Sequence, residues 1–205
     1  MLSLPEIDRF FDELDKEFHR PLCILITGAV AGFMMGHIRP SDDIDFEVRL
    51  PDEHSTVDLR EALESAIRAV SQKLAMPAQY TENIAGWSQI TLLDYRKQAL
   101  PYKKIGNIEI SFLAPEYWAI GKLTRYLPLD SRDLVSVMKA TGTDSIKLIT
   151  TLAKALRASP LSDRSREFKN HVVDFLKNEG REIWGNHFSA EDAIRDFKNQ
   201  FSGPS

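Results

Sequence analysis

Asp43 and Asp45 flank Ile44 in a run that alternates cleanly, with Ile44, Phe46, Val48 and Leu50 on one side and Asp43, Asp45, Glu47 and Arg49 on the other. That alternation predicts a half-buried strand whose polar side begins with two carboxylates. Residues i and i+2 of a strand share a face with their Cα atoms about 6.6–6.8 Å apart, so the two carboxylates can converge on a pair of divalent cations. Upstream, the apolar run 22–27 ends in Gly28, where the backbone can turn tightly and approach a ligand. A short helix is predicted to follow, and the first N–H groups of a helix favour phosphate oxygens. Mg²⁺ takes a few carboxylates plus substrate phosphates in preference to an all-protein cage. The stretch therefore predicts a phosphate cradle beside a seat for divalent metal. Two residues compete for the place of third carboxylate. Glu109 lies on the polar side of a later alternating stretch, between Ile108 and Ile110, and Glu47 lies further along the same strand as the pair. Distance along the strand favours Glu109, with its carboxylate expected within about 4–7 Å of the pair.

The elements that must position these residues are readable from periodicity. Ser3, Pro5 and Glu6 form a helix start, and Leu4, Ile7, Phe10, Phe11, Leu14 and Phe18 fall on one face of a helix over 4–19. A buried strand is expected at 22–27, a short helix at 30–36, a loop around Pro40 at 37–42 and the acidic strand at 43–50. A helix over 55–74 carries the stripe Leu59, Leu63, Ile67, Val70 and Leu74. Further strands are expected at 77–82, at 88–95 and within 103–112. Beyond Pro115 the pattern is helical throughout, with helices at 116–125, 130–140, 145–158, 162–177 and 190–201. The fold class is thus α/β (α+β): a mixed sheet with flanking helices over 1–114, then an all-helical domain over 115–205.

Each functional reading stands beside a plainer one. An Asp-x-Asp can be a solvated strand edge, and Lys122 and Arg132 can be ordinary helix-surface charges. Placed near a nucleotide, either cation would offset phosphate charge. The five histidines show no zinc-ligand spacing, and the single cysteine, Cys23, reads as a small buried apolar residue. Gly28, Gly32 and Gly36 are not a P-loop, since no Gly-Lys-Ser/Thr follows. Trp87 and Trp118 read as core residues, with base stacking as the alternative. The basic residues Lys147, Lys154, Arg157, Arg164, Arg166 and Lys169 read as a solvated face.

The segment from Thr27 to Phe46 resembles the polymerase-beta-type nucleotidyltransferase superfamily. Members have a strand, Gly-Gly or Gly-Ser, a spacer, Asp-h-Asp (h hydrophobic) and a third acid on a later strand. Here Gly28-Ala29 is followed by 13 residues and then Asp43-Ile44-Asp45. Arg39-Pro-Ser41-Asp-Asp-Ile-Asp-Phe46 is similar to small stand-alone bacterial members, including the nucleotidyltransferase toxins of abortive-infection-type toxin–antitoxin systems. Glu109, Pro115-Glu116, Lys122 and Arg132-Asp133 follow in the order seen in those relatives, so the resemblance spans roughly 22–140. It implies transfer of a nucleotide from a nucleoside triphosphate to an acceptor hydroxyl, on a tRNA end or other RNA, a protein Ser, Thr or Tyr, or a small molecule, with RNA or protein favoured and pyrophosphate released. It implies two Mg²⁺ ions held by Asp43, Asp45 and Glu109, which are also the catalytic residues. Thr27, Gly28, Ala29, Arg39 and Ser41 would line the nucleotide site, joined by Lys122 and Arg132. The triphosphate would sit between the two domains, and an antitoxin would be the partner. Ala29 stands where the family has a second Gly or a Ser, and Ser136 where a further Asp is expected. These departures leave open a second reading, a nucleotidyltransferase fold kept as a non-catalytic binding module.

The chain has 205 residues, 43% hydrophobic and 27% charged, enough to bury a core without covalent staples. A net charge of −4 argues against a protein that coats nucleic acid by charge alone. One cysteine excludes an intrachain disulfide and fits a reducing compartment. With no signal peptide or membrane-spanning run expected, the reading is a cytoplasmic protein without a membrane partner.

Overall fold

In the computed structural model, which describes residues 2–36, 41–50 and 57–202, the chain divides into two compact units. One comprises Met1–Met34, Ile38–Ile84 and Gln98–Leu113, and the other Met35–His37, Ala85–Lys97 and Ala114–Ser205. The segment Ala85–Lys97 thus belongs with the helical unit, whereas the sequence reading grouped it with residues 1–114.

In the first unit, α1 (Leu4–Phe18) begins where the Ser3 N–H donates to Glu6 Oε2 at 2.8 Å. Its buried residues are Ile7, Phe10, Phe11, Leu14 and Phe18, the stripe that the spacing predicts except for Leu4, which is exposed in the first turn. Strand β1 (Leu22–Ile26) leads into α2 (Gly28–Met34), and β2 (Ile44–Arg49) leads through α3 (Val57–Leu74) to β3 (Ala78–Thr81). Strands β4 (Leu100–Ile105) and β5 (Ile108–Phe112) form a hairpin across Gly106 and Asn107. The sheet order is β3-β2-β1-β5-β4. Strands β1/β5 and β2/β3 pair parallel, β1/β2 and β4/β5 antiparallel, so the sheet is mixed as expected.

Side chains paired across neighbouring strands share a face, so register sorts the sheet into two sides. One side carries Leu22, Ile24 and Ile26 with Phe46, Val48, Ile108 and Ile110, all buried. Phe46 meets the rings of Phe10 and Phe11 edge-on at 6.2 and 5.6 Å, and α3 packs on α1. Each such aromatic contributes roughly 1.5–3 kcal/mol by burial. The other side carries the acids Asp45, Glu47 and Glu109.

Two expectations change here. The stretch 103–112 is not a lone strand: β4 starts at Leu100 and turns at Gly106, and Pro101 is accommodated because β4 is an edge. The stretch 88–95 is not a strand. Gln89 and Asp94 adopt left-handed backbone (φ 54° and 56°), which breaks extension on both sides of Thr91. The Thr91 N–H donates to Ser159 Oγ and its hydroxyl to the Ala158 carbonyl, in place of strand partners.

The second unit is helical among its described residues: α4 (Ala85–Ser88), α5 (Pro115–Leu123), α6 (Pro128–Thr141), α7 (Ser145–Ala158), α8 (Asp163–Asn178), α9 (Gly180–Trp184) and α10 (Ala190–Ser202). The short α9 was not expected from the sequence; it packs on α6 and α8. Phe168, Phe175, Phe197, Leu148 and Leu152 form its core, and Trp118 is buried with them in this unit while Trp87 is half exposed at 49%. No helix among the described residues is long and apolar enough to cross a membrane.

Candidate functional site

The acidic side of the sheet is built in rungs. Asp45 lies opposite Gln79 of β3, and on its other flank its carbonyl accepts the Thr27 N–H at 2.9 Å. The next rung is Thr81, Glu47, Leu25 and Ser111, and the one after it Arg49, Cys23, Glu109 and Lys104. The Thr27 carbonyl accepts from the Ala31 N–H, so α2 starts directly from the end of β1 beside Asp45.

Gly28 has φ +63°, a conformation that costs a side-chain-bearing residue strain. A Cβ built on it would lie 2.0 Å from Asp45 Oδ2 and 2.8 Å from its Cγ. The Asp45 carboxylate therefore occupies the space above the glycine, at the opening of α2. Asp43 precedes it on the same face. Ser41 Oγ lies 2.9 Å from Asp43 Oδ1 and 2.9 Å from the Asp43 carbonyl, and Gln79 Nε2 donates to Asp43 Oδ2 at 3.0 Å. Both aspartates are half-buried. Ser41 is itself tied down, since its carbonyl accepts the Leu2 N–H at 2.8 Å.

Thr27, Gly28, Ser41, Asp43 and Asp45 lie together at this end of the sheet, and Ala29 follows Gly28 in the first turn of α2. Glu109 does not join them. Glu109 pairs with Cys23, whereas Asp45 adjoins Thr27, a displacement of four residues and about 13 Å along the strands. Periodicity placed Glu109 on the correct side of the sheet, but register puts it at the opposite end, on the rung with Arg49 and Lys104. The expected approach within 4–7 Å is corrected accordingly. Among the described residues no group of three or more His, Cys, Asp and Glu side chains gathers to hold a metal. Glu47, the other contender, is 1% exposed; its Oε2 accepts the Ile84 N–H at 3.1 Å and its Oε1 lies 3.6 Å from Arg49 Nε.

Lys122 is the second correction. It is buried in the helical unit, with Nζ 3.1 Å from Asp130 Oδ1 and 2.6 Å from Asp133 Oδ2, over the Trp118 ring. A cation matched by two buried carboxylates is a packing device and not a phosphate contact. Arg132 is exposed on α6. Arg39 lies outside the described residues. The residue that sequence reasoning missed is Gln79. Its strand was expected, but nothing local shows that β3 lies parallel to β2 in a register that carries an amide to Asp43.

Comparison with family models, curated proteins and solved structures finds no match for this chain.

Proposed function

We propose that this chain is a Mg²⁺-dependent nucleotidyltransferase that moves a nucleotide from a nucleoside triphosphate to an acceptor hydroxyl on RNA or protein. The observation that carries the reading is the Asp45 carboxylate seated over Gly28 at the opening of α2, with Asp43 on the same strand face. An all-oxygen donor set of two carboxylates suits a hard cation that completes its shell with water and phosphate oxygens. Asp43 and Asp45 would hold the metal, which when bound neutralises charge on the α-phosphate and lowers the acceptor's pKa. Gly28, which has no Cβ, leaves the room that the Asp45 carboxylate takes beside α2, and the phosphates would meet the metal there. The acceptor oxygen bonds to the α-phosphorus as the bond to the β-phosphate's bridging oxygen breaks. Pyrophosphate leaves, and the hydroxyl proton passes to a carboxylate of the pair.

One observation favours a binding module without catalysis. The strand that should bring the third carboxylate presents Ser111 and Leu113 toward this end of the sheet. Two experiments separate the readings. Titration calorimetry with Mg²⁺ and each nucleoside triphosphate measures binding, and α-labelled triphosphates incubated with total RNA and protein measure transfer. Asp43→Ala and Asp45→Ala should each abolish transfer while melting as the parent does. A natively folded variant with full transfer would remove the pair from the mechanism, and triphosphate binding without transfer by the parent would support the binding module.

A further inference from the structure

We infer that Gln79 is a positioning residue that aims the Asp43 carboxylate at the metal site. The inference rests on the reading of Asp43 and Asp45 as metal ligands. Gln79 is the rung partner of Asp45, yet its amide crosses diagonally to Asp43 Oδ2 at 3.0 Å. Ser41 Oγ reaches the other oxygen, Oδ1, at 2.9 Å. The carboxylate thus meets a neutral donor at each oxygen, from two different segments, the Ser41 hydroxyl sharing its one proton between Oδ1 and the Asp43 carbonyl, and each oxygen keeps a lone pair for a cation. Three carboxylates follow one another from Asp43 into β2, and the partners of Glu47 and Asp43 are of different kinds. Glu47 is engaged by a backbone N–H and by Arg49 inside the sheet unit. Asp43 is held by an exposed glutamine and a half-buried serine, neither of which neutralises its charge. A neutral donor orients an anion and leaves its charge available to a metal, whereas a lysine or arginine at position 79 would compete with the cation. Outer partners of this kind commonly govern metal affinity as strongly as the ligands' own geometry.

The test is a calorimetric titration of the full chain with MnCl₂, using the parent, Gln79→Met, Ser41→Ala and Thr81→Val. Methionine keeps the length of the glutamine without its donor. Gln79 is exposed on an edge strand, so the metal-free variant should melt as the parent does. Gln79→Met should weaken Mn²⁺ binding roughly tenfold, and Ser41→Ala should weaken it in the same direction. Thr81→Val, two residues along the same strand, should leave it unchanged. Equal affinity in Gln79→Met and the parent would overturn the inference and leave the metal reading standing. An equal loss in Thr81→Val would overturn it too, because the effect would then be loosening of the edge strand. A parent that takes up no Mn²⁺ would overturn the metal reading, and this inference with it.

Discussion

Gly28 is under two constraints: a left-handed backbone, which strains any residue with a side chain, and the Asp45 carboxylate, which fills the space that a Cβ would need. Gly28→Ala should cost about 1–2 kcal/mol for the backbone alone, and more because the methyl group displaces Asp45. Stability in urea and Mn²⁺ affinity should therefore fall together; a destabilised variant with parental metal affinity would show that Asp45 is not a ligand. Glu109 offers the opposite case. It is exposed, two rungs from Asp45, beside Lys104. Glu109→Gln should leave both Mn²⁺ affinity and nucleotide transfer at parental levels. A large loss of either would mean that this carboxylate reaches the pair after all.

Between helices α5 and α6, one buried ionic cluster replaces what a purely apolar contact would do. Burial pushes the Asp130 carboxyl up, but hydrogen bonds and charge from Arg125 and Lys122 outweigh it and hold the group below the usual carboxylate range. Its contribution to stability is present above the unfolded-state pKa of an aspartate and is lost as pH falls through the lowered folded value. Lys122 is shared between Asp130 and Asp133, both about 2% exposed. Lys122→Met leaves two buried carboxylates without their common cation and should destabilise the helical unit by about 3–5 kcal/mol in urea. A loss under about 1 kcal/mol, the range of an exposed pair, would show that the cluster is solvated.

Taken as a whole, the molecule has two cores that can be followed separately, because all three tryptophans, Trp87, Trp118 and Trp184, lie in the helical unit. Tryptophan fluorescence therefore reports that unit. Within it, burial pushes the Tyr126 hydroxyl from an ordinary value near 10 up to about 12, against a downward pull from its hydrogen bond with Ser131 and with a smaller push from Glu179 and Asp174. A phenol whose folded pKa is raised stays protonated while the unfolded chain ionises. Stability of the unit should thus fall as pH rises from about 10 to about 12 and be unaffected below that window. Tyr126→Phe should flatten this alkaline loss in fluorescence-monitored melts, and an unchanged slope would assign the loss to other groups.

What the sequence determined by itself is local. The spacing of Ile7, Phe10, Phe11, Leu14 and Phe18 specifies the buried face of α1, and the alternation from Asp43 to Leu50 specifies which side of β2 is polar. The order of a mixed α/β part followed by helices, and the meeting of Gly28 with Asp45, were legible because the chain between them is short and each end is marked by residue type. Which rungs line up was decided only by the tertiary structure. Strand register depends on how whole faces pack, and a stretch such as Ile108–Phe112 alternates identically wherever it slides by two residues. That freedom is why Glu109 stood as a third ligand in the sequence and stands at the far end of the sheet in the fold. The same physics hid Gln79, whose partner is 36 residues away, and Lys122, whose burial depends on two carboxylates from the following helix.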